Sequence, residues 1–174
     1  MSIAVVYRSK TGFTKRYAEW IGEELNCDII DVKNATKETL SKYDTIIFGT
    51  GIYAEGMAGL EKFKRKMSKL NGKKFIVFAT GAVSADNKKI EEIINRNFTP
   101  DERKTIPFFF FQSGLNYEKM GFVSRLMMKM FSSMLDKKKD KTEEEQALAD
   151  VIKKSFDNSK KEHINQLVEY VKSV

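Results

Sequence analysis

The sequence predicts an α/β domain built on a doubly wound parallel sheet with helices on both faces. Three observations carry this. Short apolar runs alternate with amphipathic helical stretches along the whole chain. The runs TIIFGT (45–50) and FIVFAT (75–80) are continuously apolar, as strands buried on both faces are. The first strand opens directly into a polar loop, which places a ligand crevice at the carboxyl ends of the strands, where strand order reverses.

Residues 3–7 form the first strand, bounded by the polar loop 8–14. From Thr14, Tyr17, Ala18, Ile21 and Leu25 recur on one helical face. Ile29, Ile30 and Val32 mark a short second strand, and residues 45–50 the third. Leu60, Phe63, Met67 and Leu70 define a helix that Asn71-Gly72 ends. Residues 75–80 are the fourth strand. Ile90, Ile93, Ile94 and Phe98 give the next helix its stripe, and residues 106–111 supply a fifth strand. Pro107 lacks an N–H to donate, which suits a peripheral strand.

Two helices close the chain. Thr142-x-x-Glu145 and Ser159-x-x-Glu162 both have capping-box form. Leu148, Val151, Ile152 and Phe156 form the first apolar face; Ile164, Leu167, Val168 and Val171 form the second. No long linker, repeat or composition shift divides the 174 residues, so one domain over 1–174 is expected.

Composition narrows the function. Cys27 is the single cysteine and His163 the single histidine, which excludes an intrachain disulfide and leaves no usual zinc set. One cysteine suits a reducing cytoplasm, and the amino terminus has neither a basic n-region nor a cleavage site. The net charge of +7 is compatible with an acidic substrate, an anionic membrane surface or plain solvation. No aromatic-interleaved basic stripe accompanies it, so no nucleic-acid partner is expected. The charged stretch 137–141 reads as a solvated loop.

The crevice loops are then 8–14, 51–56 and 81–87. In the first, Ser9-Lys10-Thr11-Gly12-Phe13-Thr14 stands between a strand and a helix start, where free N–H groups and the dipole favour an anion. Gly12 permits close backbone approach, and Ser9, Thr11 and Thr14 carry donor hydroxyls. The loop is neither a Walker loop nor a dinucleotide fingerprint. A capped helix after a polar turn is the plain alternative.

Ser9-x-Thr11-Gly12-x-Thr14 after a first strand resembles the phosphate loop of flavodoxins, [ST]-x-T-G-x-T. The resemblance, with the order of elements, covers nearly the whole chain. It implies the flavodoxin-like strand order 2-1-3-4-5 and FMN as cofactor, its phosphate held by residues 9–14. It implies two more cofactor-binding loops flanking the isoalloxazine ring: Thr50, Gly51, Ile52, Tyr53 and Ala54, then Thr80, Gly81, Ala82 and Val83. Tyr53 would stack on the flavin, although a surface tyrosine in a glycine-rich turn is the plain reading. The third loop departs from electron-carrying flavodoxins, which place an aromatic residue there; an open flavin face follows. Response regulators need acidic residues where Tyr7-Arg8 stand, low-molecular-weight phosphatases need C-x5-R in the first loop, and a Ser-His-Asp set has only His163 to draw on.

Electron-carrying flavodoxins are typically acidic, unlike this chain. Ser113-Gly114-Leu115-Asn116-Tyr117, followed by Phe122 through Met130, resembles the region after the fifth strand in menaquinone-dependent protoporphyrinogen oxidases. Over about twenty residues, that resemblance implies an FMN enzyme oxidising protoporphyrinogen IX or a related acidic tetrapyrrole, with a quinone as acceptor. A non-catalytic electron carrier serving redox protein partners is the alternative. No side chain is assigned as catalytic. Val123, Leu126, Met127, Met130, Phe131 and Met134 share one helix face, with Arg125, Lys129 and Ser132 opposite. That face either packs on the sheet or makes peripheral contact with the inner face of the cell membrane or a partner, and periodicity does not choose.

Overall fold

The computed structural model describes residues 2–53, 56–82 and 87–174. Along the chain come β1 (Ile3–Arg8), α1 (Phe13–Leu25), β2 (Asp28–Asp31), α2 (Lys37–Ser41), β3 (Thr45–Tyr53), β4 (Gly56–Met57), α3 (Leu60–Met67), β5 (Lys74–Gly81), α4 (Asn87–Asn97) and α5 (Pro100–Thr105). There follow β6 (Phe108–Gln112), β7 (Gly114–Leu115), α6 (Phe122–Lys137), α7 (Glu143–Val151), β8 (Phe156–Asp157), a 3-10 turn (Lys161–Ile164) and α8 (Asn165–Ser173). The main sheet runs β2-β1-β3-β5-β6, all parallel, with β4 folded back antiparallel on β3. This is the expected 2-1-3-4-5 order; the short β4 only shifts the numbering. β6 lies at an edge, where Pro107 is tolerated just outside the paired residues.

Alternation along each strand divides the interior in two. Val6, Ile46, Phe48, Val77 and Ala79 point to one face, against Leu40, Leu60, Phe63, Met67 and Phe98. Val5, Ile47, Ile76, Phe78 and Phe111 point to the other, against Tyr17, Ile21, Leu167, Val168 and Val171. A strand buried on both sides needs an apolar residue at every position, which is why 45–50 and 75–80 read as runs. Each large aliphatic side chain so buried contributes about 1.5–3 kcal/mol.

The structure departs from the expected elements at several points. Helices α2 and α5 were not foreseen, yet both are capped: Thr36 accepts from the Thr39 N–H, and Thr99 with Glu102 closes a capping box around Pro100. The Thr142–Glu145 box forms as expected. The Ser159–Glu162 box does not form, because Ser159 is engaged elsewhere; it bonds Asp157 and accepts from Arg16 at 2.8 Å. Phe156 is not on the face of α7. That helix stops at Val151, and Phe156 pairs with Leu115 in the small β7–β8 ribbon. The stretch 137–141 is more than a solvated loop: Lys138 pairs with Glu145 at 2.7 Å, and Lys141 donates to the Asp136 carbonyl.

Tyr17 ties α1 to the far end of the chain. Its hydroxyl has one proton and donates it to the Gln112 carbonyl. The Lys160 N–H donates to the phenol oxygen at 3.3 Å, and His163 Nδ1 lies 2.8 Å away. With the phenol proton committed to Gln112, Nδ1 is the ring nitrogen that carries a proton. Burial pushes the phenol pKa from its ordinary 10.0 to about 12. A raised native pKa leaves stability whole below the unfolded value and removes it as pH rises from 10 towards about 12. The expected loss is about 2 to 3 kcal/mol. The burial-raised Cys27, at about 11, acts in the same sense. Urea midpoints against pH will show a decline that is shallower in Tyr17→Phe; equal slopes would remove Tyr17 from the account.

Candidate functional site

The carboxyl ends of β1, β3 and β5 meet at one side of the sheet, where the chain goes to β2 on one hand and to β3 on the other. That is the switch point at which open parallel sheets bind ligands.

At the end of β1, Gly12 adopts φ 100°, a left-handed conformation that costs an L-residue energy, and α1 starts at Phe13 without a side-chain cap. The Gly12 N–H donates to Ser9 Oγ at 3.1 Å, which fixes the turn and leaves the Ser9 proton free to donate. The N–H groups of the first turn of α1 have no intrahelical acceptors. An uncapped helix start behind a left-handed glycine is a cradle for one terminal phosphate. The Phe13 side chain is buried, so only its backbone faces this cradle. Thr14 is buried too, and its hydroxyl lies 2.8 Å from that of Thr80, tying the first loop to the third. Ser9, Thr11 and Lys10 remain at the surface side.

Two cations act here in ways the sequence did not reveal. Lys119 Nζ would lie 3.7 Å from a Cβ on Gly12, so a cation stands over the phosphate loop. Its turn is held by the Asn116 side chain, which accepts from the Lys119 N–H at 3.0 Å. Residues 119 and 12 are distant in sequence, and no local pattern joins them. Together with Thr11, Lys15, Asn116 and Phe156, they line an open cleft of about 420 Å³. Arg16, by contrast, is committed to structure: it pairs with Asp157 at 2.5 Å and stands 5.7 Å from the Phe13 ring centre.

The second loop is a backbone excursion closed by its own residues. Thr50 is fully buried and donates its hydroxyl to the Ala58 carbonyl at 2.7 Å, so that side chain is withdrawn from the crevice. Ile52 pairs with Met57 and Tyr53 with Gly56. Tyr53 folds back over Gly51, where a Cβ would meet its ring at 3.0–3.1 Å. Lys10 stands 4.4 Å from the centre of the same ring, so the first loop covers the second by a cation–π contact. Burial raises the Tyr53 pKa, and the nearby Arg8 charge works against that rise. Asn97 was also missed; it accepts from the Met57 N–H at 2.9 Å and clamps the turn from α4. Ala54 lies outside the described residues, as does Val83 in the third loop.

In that third loop, the Gly81 carbonyl accepts from the Ser113 N–H at 2.7 Å, and a Cβ on Gly81 would meet the Phe110 ring at 2.9 Å. Ala82 packs into a small third cluster with Leu115, Leu135 and Ile152. The crevice is thereby joined to the α6–α7 region. Among the described residues, no group of acidic, histidine or cysteine side chains is arranged to hold a metal ion.

An uncapped helix start at the switch point, suited to an anion, with two backbone loops beside it, is the arrangement of a mononucleotide-binding α/β domain. The flavodoxin domain family model matches residues 4–142, and the chain belongs to that family. FMN is its cofactor. An uncharacterized protein of Methanocaldococcus jannaschii is 38% identical over 69 residues, which cover 39% of this chain and 46% of that protein. The matched part thus spans less than half the length of that relative. A flavodoxin from the domain Archaea superposes with a TM-score of 0.46 at 24% identity, covering 64% of this chain and 85% of that one. Oxidised flavodoxin 1 of Bacillus cereus gives a TM-score of 0.45 at 19% identity, covering 64% and 84%.

Proposed function

We propose that this protein is an FMN-dependent oxidoreductase of an acidic reduced substrate, protoporphyrinogen IX or a related tetrapyrrole, with a quinone as electron acceptor. The observation that carries it is the set of cations at the crevice: Arg8, Lys10 and Lys119 stand at or over the first loop of a chain whose net charge is +7, while Lys15 beside them is paired with Glu19 at 3.5 Å. Flavodoxins that only ferry electrons present acidic faces to basic partners. A cationic rim instead attracts carboxylates, raises their association rate and loses that effect as salt screens it. The resemblance of residues 113–130 to protoporphyrinogen oxidases names the substrate class.

FMN, when bound, supplies the redox chemistry. The protein's part is to hold the phosphate on the N–H groups at the start of α1 with Ser9, Thr11 and Lys119, and to keep the ring between the loops ending in Tyr53 and Ala82. The substrate's carboxylates are steered by Arg8 and Lys10. A second reading is a carrier exchanging electrons with protein partners: of the carboxylates lining the cleft, Glu19 is paired with Lys15 and Asp157 with Arg16. An anaerobic assay of porphyrin fluorescence, with flavin-loaded protein and a menaquinone analogue, separates the two. The oxidoreductase reading expects saturable turnover that slows as salt rises. A fully flavinated protein with no turnover, yet reduced by a flavodoxin reductase, would establish the carrier.

A further inference from the structure

Helix α6 does not pack on the sheet. It is held by Met128 and Leu135, which join the third cluster against Ala149 and Ile152, and the rest of its apolar surface faces outward. Phe122 is 81% exposed, Val123 69%, Met130 65% and Met134 60%, with Leu126 and Met127 about half exposed. At about 100° per residue these positions fill one continuous arc of roughly 140°. An apolar surface of this extent on one helix marks an interaction site.

The charges around it decide what covers it. No acidic residue falls among positions 122–135. Arg125 and Lys129 border the arc, and Lys137, Lys138, Lys139 and Lys141 follow at its carboxyl end. Of these six cations Lys138 is paired with Glu145 at 2.7 Å, and Glu118 lines the same hollow as Arg125 and Lys129. Asp136 and Asp140 are the acids within the stretch, and Asp136 is already paired with Lys153 at 3.0 Å, so the border stays net basic. Two such faces brought together in a dimer would set cation against cation, on chains that each carry +7. An anionic lipid surface offers both complements at once, acyl chains for the apolar arc and headgroups for its basic border. Methionine's flexible thioether suits an irregular apolar medium. Among the described residues no helix is long and apolar enough to cross a membrane, so contact is in the interfacial plane.

We infer that α6 is an interfacial membrane-docking helix that seats the protein on anionic bilayers. The helix joins the crevice through the third cluster at Ala82 and through the turn bearing Lys119, so docking holds the FMN loops close to the lipid surface. The inference stands apart from the choice of substrate.

Vesicle co-sedimentation of the full chain tests it, with and without FMN. Vesicles of equal phosphatidylglycerol and phosphatidylcholine should retain the protein at low salt, phosphatidylcholine vesicles should not, and salt should release it. Met127→Glu with Met130→Glu should abolish binding while leaving the melting temperature unchanged, since both side chains are exposed. Lys137→Ala and Lys139→Ala should each weaken it about fivefold, the contribution of one cation near an anionic surface. Lys138 is left intact because it pairs with Glu145. Anionic binding that survives the double methionine substitution would overturn the inference, reducing the contact to charge alone. So would absence of binding in a protein that light scattering shows to be a dimer, if the same substitution makes it monomeric. Neither result touches FMN affinity, which is read separately.

Discussion

Gly12→Val is expected to weaken FMN binding by at least about a hundredfold while the chain stays folded. Position 12 has φ 100°, where a β-branched residue is strained by about 1–2 kcal/mol, and its side chain would point towards the Lys119 ammonium. It would also stand where the phosphate approaches the backbone. Loss of two or three hydrogen bonds to a charged group at about 1.5 kcal/mol each, with the strain, passes the 2.8 kcal/mol that correspond to about a hundredfold. Removing one donor does less: Thr11→Ala should cost about 1–3 kcal/mol. Lys119→Ala should fall in the same range, with a shallower salt dependence than the unmodified protein. Quenching of flavin fluorescence on titration reads all three. Native circular dichroism with unaltered affinity in Gly12→Val would place the phosphate elsewhere.

Gly114→Ala is expected to destabilise the fold by about 3 kcal/mol, at the upper end of overpacking costs. A Cβ at 114 would collide with the backbone carbonyl of Phe156 and lie 2.9 Å from the Asp157 Cα. Backbone atoms cannot rotate aside as a side chain can. Relief requires β7 and β8 to part, and Arg16 then loses Asp157, its partner at 2.5 Å. Gly121→Ala is the control, because nothing lies within 4 Å of its Cβ position. Urea melts should show the first variant unfolding well before the second; coincident curves would mean that the ribbon adds nothing to stability.

The flavodoxin-like sheet was legible because burial on both faces leaves its mark at every strand position. The runs 45–50 and 75–80 became the two central strands, and Pro107 marked the edge strand beside it. The turn after β1 is local as well: the left-handed Gly12 and its bond to Ser9 follow from residues three apart. Short-range chemistry misled where a distant partner won. Ser159 would have capped a helix, but Arg16 and Asp157 hold it. Phe156 continued an apolar stripe, but pairing with Leu115 drew it into a ribbon. The Thr14 hydroxyl meets that of Thr80 and the Thr50 hydroxyl meets the Ala58 carbonyl, contacts that only the fold brings together.

The sequence by itself determined the strands and their two buried faces, the glycine turn after β1 and the amphipathic character of α6. These follow from neighbours within a few residues, where backbone geometry and burial act directly on residue choice. Only the tertiary structure decided that Lys119 stands over Gly12, that Lys10 covers Tyr53, and that the apolar face of α6 is turned outward. Each depends on which surfaces long-range packing brings together. A helix's periodicity records that it has an apolar face, and the partner that covers that face is set by the rest of the fold.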